Sequence, residues 1–172
     1  MPDDLIETAR LLLRPLSAGD LDALVLVYAD PEVMRYIGPG VPLQPDEARR
    51  LLERRIREYD RQGYGVLAVV ERDSEAVIGR CGLIHWEIDG RDELEVGYIL
   101  ARSAWGRGYA TEAATAVRDF ALARLARRRL IALIRDGNAA SMRVAEKLGM
   151  VHERDIDFHA ATTRLYALPE DV

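Results

Sequence analysis

The sequence predicts a mixed α/β (α+β) fold: a mixed sheet flanked by about four helices. Three observations carry this. Apolar residues recur at helical spacing in four stretches and follow strand patterns in seven others. The order along the chain is strand, two helices, three strands, helix, strand, helix and two terminal strands, which suits neither an all-β nor a purely parallel architecture. Finally, 172 residues with 49% hydrophobic and 31% charged side chains have the balance of a globular protein, and the length fits one domain over 1–172.

The elements follow in order. Residues 9–16 read as a first strand. Ser17-Ala-Gly-Asp20 has the form of a capping box, and Leu21, Leu24, Val25 and Tyr28 form the apolar stripe of the helix behind it, which Asp30-Pro31 interrupts. Gly38, Pro39, Gly40, Pro42 and Pro45 make 38–45 a loop. A second helix starts near Pro45 and buries Ala48, Leu51, Leu52, Ile56 and Tyr59. Six Arg against five acids over 46–61 read as its solvated face. Val66 to Glu71 and Ala76 to Trp86 read as a hairpin around Arg72-Asp-Ser-Glu75. A polar turn over 87–92 leads to a strand over Glu93 to Leu100, in which Leu94, Val96, Tyr98 and Leu100 alternate with Glu93, Glu95, Gly97 and Ile99. A helix runs from Tyr109 to about Arg127, closed by Arg127-Arg128-Arg129. A strand over 129–135, a helix over 139–148 stopped by Gly149, and weak strands at 151–157 and 161–168 complete the order.

Composition excludes several functions. The net charge of −5, with a pI near 5.3, argues against a nucleic-acid partner, whose phosphates need Lys and Arg in excess. One cysteine, Cys81, allows no internal disulfide, and its alternation with Val77, Gly79 and Leu83 marks a buried thiol rather than an acyl carrier. His85, His152 and His159 lack metal-ligand spacing, so no metal is expected. No stretch approaches a membrane span, and the Met-Pro-Asp-Asp opening is not that of an export signal, which makes the cytoplasm the expected address. Trp86 and Trp105 are candidates for an acceptor pocket or for core packing.

The informative stretch is Glu93 to Thr111. A strand enters a turn holding Gly106 and Gly108, and the turn enters a helix. Glycines let backbone N–H groups approach an anion, and a helix N-terminus favours negative charge. The same pattern equally fits a turn that only joins strand to helix. A dinucleotide fingerprint is excluded because Thr111 stands where a third small residue is needed, and a Walker motif because Lys147 is followed by Leu148.

Three segments carry a resemblance. Trp105-Gly-Arg-Gly-Tyr-Ala-Thr-Glu-Ala113, Asn138-Ala-Ala-Ser141 running on to Lys147-Leu-Gly149-Met, and Thr8-Ala-Arg-Leu-Leu-Leu-Arg14-Pro-Leu occur in this order. Together they resemble the Gcn5-related N-acetyltransferase (GNAT) superfamily, in its RimJ/RimL-like branch, over about residues 7–168. The resemblance implies a strongly bent sheet whose fourth and fifth strands splay, with acetyl-CoA as co-substrate in the splay. By carry-over, the backbone of Tyr98, Ile99 and Leu100 would pair with the pantetheine arm. Trp105, Gly106, Arg107, Gly108, Tyr109, Ala110 and Thr111 would form the pyrophosphate turn, with Arg102 and Arg107 near outer phosphates. Asn138 and Ser141 would face the thiol end. Glu95 is the implied base, with Glu93 its alternate. Ala145 departs from the Tyr that many relatives use as general acid, a role that falls to Ser141 or to water. The implied activity is direct transfer of acetyl to a primary amine, an N-terminal α-amine for this branch. The alternatives are a small-molecule amine such as a polyamine or amino sugar, or a non-catalytic acyl-CoA-binding module. A homodimer is a family-level expectation.

Overall fold

The structure, a computed structural model, describes residues 5–169; the Met1–Asp4 opening read above for an export signal lies outside them. Its strands are β1 (Ile6–Glu7), β2 (Leu11–Pro15), β3 (Val66–Glu71), β4 (Val77–Ile88), β5 (Arg91–Leu100), β6 (Ile131–Arg135), β7 (Val151–Phe158) and β8 (Ala161–Ala167). They form one sheet in the order β1-β2-β3-β4-β5-β6-β8-β7. The helices are α1 (Leu21–Ala29), α2 (Pro31–Met34), α3 (Pro45–Gln62), α4 (Tyr109–Arg124) and α5 (Ala139–Lys147). Every neighbouring strand pair is antiparallel except β5 with β6. The chain leaves β5 and returns through α4 to lie parallel in β6, the connection a parallel pair requires.

That parallel pair is brief. Glu95 sits opposite Ile131, and no further residue of β5 is in register with β6. Towards Leu100 the two strands part, and the sheet is split at its middle. The splay predicted for strands four and five is therefore between β5 and β6, because the two-residue β1 adds one strand at the start.

Alternation places the two faces of β4 and β5 in different cores. Cys81, Leu83, Leu94, Val96 and Leu100 pack with Ala113, Ala114, Val117 and Ala121 of α4 and Ala145 of α5. The small residues along α4 let the helix lie close on the sheet. Ile84 and Ile99 face the other way, with Leu24, Val27 and Tyr28 of α1 and Ala48 and Leu52 of α3.

Four details differ from the sequence expectations. Pro31 starts the short helix α2 rather than ending helical structure, because Asp30 accepts from the Glu32 N–H and Pro tolerates the first helical position. The strands β4 and β5 reach into the predicted polar turn, leaving Asp89 and Gly90, both with positive φ, to make the bend. The helix α4 ends at Arg124, so Arg127 to Arg129 lie in the connection rather than capping it, and Arg129 turns to carboxylates of the sheet. Arg55, counted with the solvated face of α3, is buried at 8% exposure.

Candidate active site

Glu95 stands where β5 and β6 begin to part, on the sheet face turned to α1 and α3. Its Oε2 accepts from Trp86 Nε1 at 2.6 Å across the β4–β5 ladder, and its carboxylate also accepts the Leu133 backbone N–H from across the split. Gly97, two residues on and on the same face, leaves room for it: a Cβ there would lie 3.4 Å from Glu95 Cδ. Burial is the largest influence and raises the Glu95 pKa above the ordinary carboxylate range. The Trp86 hydrogen bond, the Leu133 N–H and the charges of Arg80 and Arg55 offset part of it. A half-buried carboxylate of raised pKa at a cleft floor has the properties of a proton acceptor.

Glu93, two residues earlier, has a different setting. It is 2% exposed and accepts from Arg129 Nε at 2.9 Å and from NH2 at 2.9 Å, while Arg129 NH1 reaches Glu153 at 2.9 Å. It is one end of an ion cluster, centred on Arg129, that joins β5 to β7.

On the opposite face, Tyr98 Oη donates to Ser141 Oγ at 3.1 Å. Burial pushes the Tyr98 phenol up to about 12. The Ser141 backbone N–H donates to Asn138 Oδ1 at 3.2 Å, so the Asn138 carbonyl oxygen serves as the cap of α5. Accepting from Tyr98 leaves the Ser141 hydroxyl proton available to a second acceptor. Ala145 is 3% exposed and belongs to the core. The split thus has a carboxylate on one face and a hydroxyl pair on the other.

The turn after β5 is built on two left-handed glycines, Gly106 at φ +71° and Gly108 at φ +80°. Gly108 is the N-cap of α4 and carries no side chain to cap it. The first helical bond is from the Glu112 N–H to the Gly108 carbonyl, which leaves the N–H groups of Tyr109, Ala110 and Thr111 outside the helical ladder. Trp105, half exposed, donates from Nε1 to the Leu100 carbonyl at 3.0 Å and ties the turn to the end of β5. Arg107 places its guanidinium 2.9 Å from Glu71 and over the Tyr109 ring, and Arg102 pairs with Asp30 at 3.0 Å. Both side chains expected near outer phosphates are thus held by carboxylates. Thr8, Gly108, Thr111, Thr115 and Lys147 line an open groove beside the turn.

Trp86 packs edge-on against Phe158 at 5.0 Å and His159 at 5.6 Å, so the β7–β8 tip forms an aromatic wall beside Glu95. The loop over 35–44 closes over the end of β6, where Arg135 NH2 donates to the Gly38 carbonyl at 2.6 Å and Tyr36 Oη to the Gly137 carbonyl at 3.2 Å. Two histidines have partners that their spacing did not reveal: His85 lies between Tyr64 and Asp92, and His152 against Asp155. Cys81 is fully buried, and burial pushes its thiol up to about 12. Cys81→Ala is therefore expected to keep most turnover and to lose stability, about 1 kcal/mol or more. Steady-state kinetics beside a melting curve check this. Complete loss of activity in a folded variant would instead make the thiol a participant.

Two residues at this site were missed in the sequence. Arg80 is 6% exposed and donates from Nε to Tyr28 Oη at 2.7 Å. Arg55 approaches the same face from α3. The spacing 48, 52, 55 runs along the buried side of α3 and is the signal that could have found Arg55.

A split mixed sheet, a glycine turn opening a helix at the split, and a carboxylate beside it are an arrangement that suits an acyltransferase site. The acetyltransferase (GNAT) domain model matches residues 10–151, and the chain belongs to the GNAT acetyltransferase family. The protein YkkB of Bacillus subtilis (strain 168) is 35% identical over 87% of this chain and 86% of its own. The GNAT-family acetyltransferase from Bacillus anthracis superposes with a TM-score of 0.81 at 25% identity, covering 98% of this chain and 99% of the other. The ribosomal L7/L12 alpha-N-protein acetyltransferase RimL, in complex with coenzyme A, shares the fold with a TM-score of 0.79 at 20% identity, covering 95% and 97%. The chain is accordingly an acyltransferase, and acetyl-CoA is the acyl donor of its family.

Proposed function

We propose that the chain is one N-acetyltransferase domain that transfers acetyl from acetyl-CoA to a primary amine by direct attack in a ternary complex. The acceptor we favour is a protein N-terminal α-amine, as in the RimJ/RimL-like branch. One observation carries the reading: Glu95 stands on one face of the β5–β6 split and the Tyr98–Ser141 hydroxyl pair on the other. An amine entering from the α1/α3 side meets the base, and a thiol departing on the α4/α5 side meets a hydroxyl.

The roles follow from the chemistry. Acetyl-CoA supplies an activated acyl thioester. The free N–H groups of Tyr109, Ala110 and Thr111, with the approach allowed by Gly106 and Gly108, suit its pyrophosphate. The edge of β5 over Tyr98 to Leu100, which has no strand in register with it and carries the Trp105 bond at the Leu100 carbonyl, suits the amides of its pantetheine arm. Glu95 takes the proton of the attacking amine, and Trp86 Nε1 holds the carboxylate in place. Ser141, oriented by Tyr98, donates to the departing sulfur.

The demand on Glu95 depends on the acceptor. An ε-amine of pKa about 10.4 is neutral in roughly one molecule in a thousand at pH 7.4, a handicap of about 4 kcal/mol, whereas an α-amine of pKa about 7.8 is neutral in roughly a quarter. With an α-amine, Glu95→Gln is expected to lower kcat/KM about tenfold near pH 7 and to recover most of it at pH 9. The wild-type profile rises with pH through the raised Glu95 pKa, and the variant lacks that limb. A raised native pKa contributes stability at low pH that is lost as pH rises through it. The Gln variant should therefore melt no lower than wild type at neutral pH. The test is the pH profile of both proteins with the best acceptor from a thiol-release screen of peptides, polyamines and amino sugars. A thousandfold loss persisting at pH 9 would remove Glu95 as proton acceptor. Acetyl-CoA binding without amine-dependent thiol release would favour the acyl-CoA-binding module.

A further inference from the structure

Arg55 and Arg80 have no role in the reading above, yet both are buried on the face that holds Glu95. Arg80 rises from β4 opposite Ile99 and is 6% exposed, and Arg55 comes from α3 and is 8% exposed. A buried guanidinium normally has its five N–H donors matched by acceptors. Here that matching is incomplete. Arg80 donates from Nε to the neutral hydroxyl of Tyr28 at 2.7 Å. Arg55 NH1 reaches Glu58 at 2.7 Å, while its Nε is buried without an acceptor.

The two cations also repel: the charge of Arg80, after burial, holds the Arg55 pKa below its ordinary value. Glu95 feels both charges and hydrogen-bonds to neither, its bonds going to Trp86 and the Leu133 N–H. On the face of the base there are thus two buried guanidinium groups, Arg80 bonded through Nε to a neutral hydroxyl and Arg55 paired with Glu58 but with its Nε left without an acceptor.

We propose that the acceptor carries a carboxylate within a few bonds of its amine, and that Arg80 and Arg55 bind it while Glu95 takes the amine proton. The inference rests on the acetyltransferase reading and narrows its substrate class. A planar carboxylate accepts paired N–H bonds from a guanidinium, which an amide or a hydrogen atom in its place cannot do as well. A polyamine or amino sugar would bring a second ammonium against two guanidinium groups. The carboxylate has two sources: that of a free amino acid, or an acidic side chain at the first or second residue of a peptide N-terminus.

The experiment compares matched acceptors at saturating acetyl-CoA, reading thiol release with wild-type protein. One arm takes free amino acids, their carboxamides and the amines left after removing the carboxylate. The other takes peptides opening Ser-Asp against Ser-Asn. Spermidine and an amino sugar complete the panel. The carboxylate member of one arm should exceed its neutral counterpart in kcat/KM by at least about thirtyfold, and the arm that shows the gap names the source. In Arg80→Gln and Arg55→Gln the gap should shrink towards unity for each variant that folds. Neutral acceptors or polyamines that match the acids would overturn the proposal and leave the acetyltransferase reading intact. Absence of thiol release from every amine would overturn both. The wild-type comparison stands even if neither variant folds.

Discussion

Gly108→Asp is expected to weaken acetyl-CoA binding by a hundredfold or more while leaving the protein folded. The substitution acts at the N-cap of α4, where the N–H groups of Tyr109, Ala110 and Thr111 lie outside the helical ladder. An Asp carboxylate there would accept from those same N–H groups and occupy the place of the pyrophosphate. It would also set a negative charge against two others. At about 4 Å each such contact costs roughly 1 kcal/mol in bulk water and about 4 kcal/mol near a protein surface. The fold tolerates the change for two reasons. Asp is among the residues that accept a left-handed backbone such as the φ of +80° here, and a Cβ would approach only Arg10 NH2, at 3.4 Å, a partner for the new charge. Gly108→Ala separates the effects, since it adds backbone strain without charge and should lose far less affinity. Calorimetric titration with acetyl-CoA, beside a melting curve, decides it. Unchanged affinity in Gly108→Asp would take the turn out of the donor site.

Arg129→Met is expected to cost about 3–5 kcal/mol, the loss typical when one partner of a buried pair is removed. For a chain of this size that is roughly a 10 °C fall in melting temperature. Glu93 would keep its carboxylate at 2% exposure with neither guanidinium contact, and Glu153 would lose its bridge to β5. An unpaired buried carboxylate takes a raised pKa, so the variant should regain stability as pH falls. Glu93→Gln added to Arg129→Met should restore much of the loss, because the uncompensated charge is gone. Thermal melts of the single and double variants between pH 5 and pH 8 give the answer. A double variant no more stable than the single one would mean that Arg129 acts by packing alone.

These two carboxylates show how far the sequence could be read. Both Glu93 and Glu95 fall on one side of an alternating strand, and alternation correctly separated them from Leu94 and Val96. It could not rank them, because their difference arises from residues distant in the chain: Arg129 beside one, Trp86 and the Leu133 N–H beside the other. The element order and the glycine turn were legible because period and turn chemistry are local. The buried Arg55 was not, because a count of charges along α3 reads composition, whereas burial follows the angular position of each residue. Arg80 likewise lies in a run of small and apolar residues, Ile78 to Leu83, where one charged side chain gives no sign of its partner on α1.

The parting of β5 from β6 has a mechanical meaning as well as a chemical one. Strands β1 to β5 form one panel and β6 to β8 another, and among the described residues the register pair Glu95–Ile131 is their only ladder contact. Interior strand edges left in this way are ordinarily a hazard, since they invite pairing with another chain. Here the hazard lies inside the molecule, where a ligand of extended shape can close the seam like an additional strand. Whatever closes it stabilises the folded state by mass action, by about 2.7 kcal/mol at a hundredfold excess over the dissociation constant. With the acyl donor in the seam as proposed above, the stability of this sheet would rise with the donor's concentration.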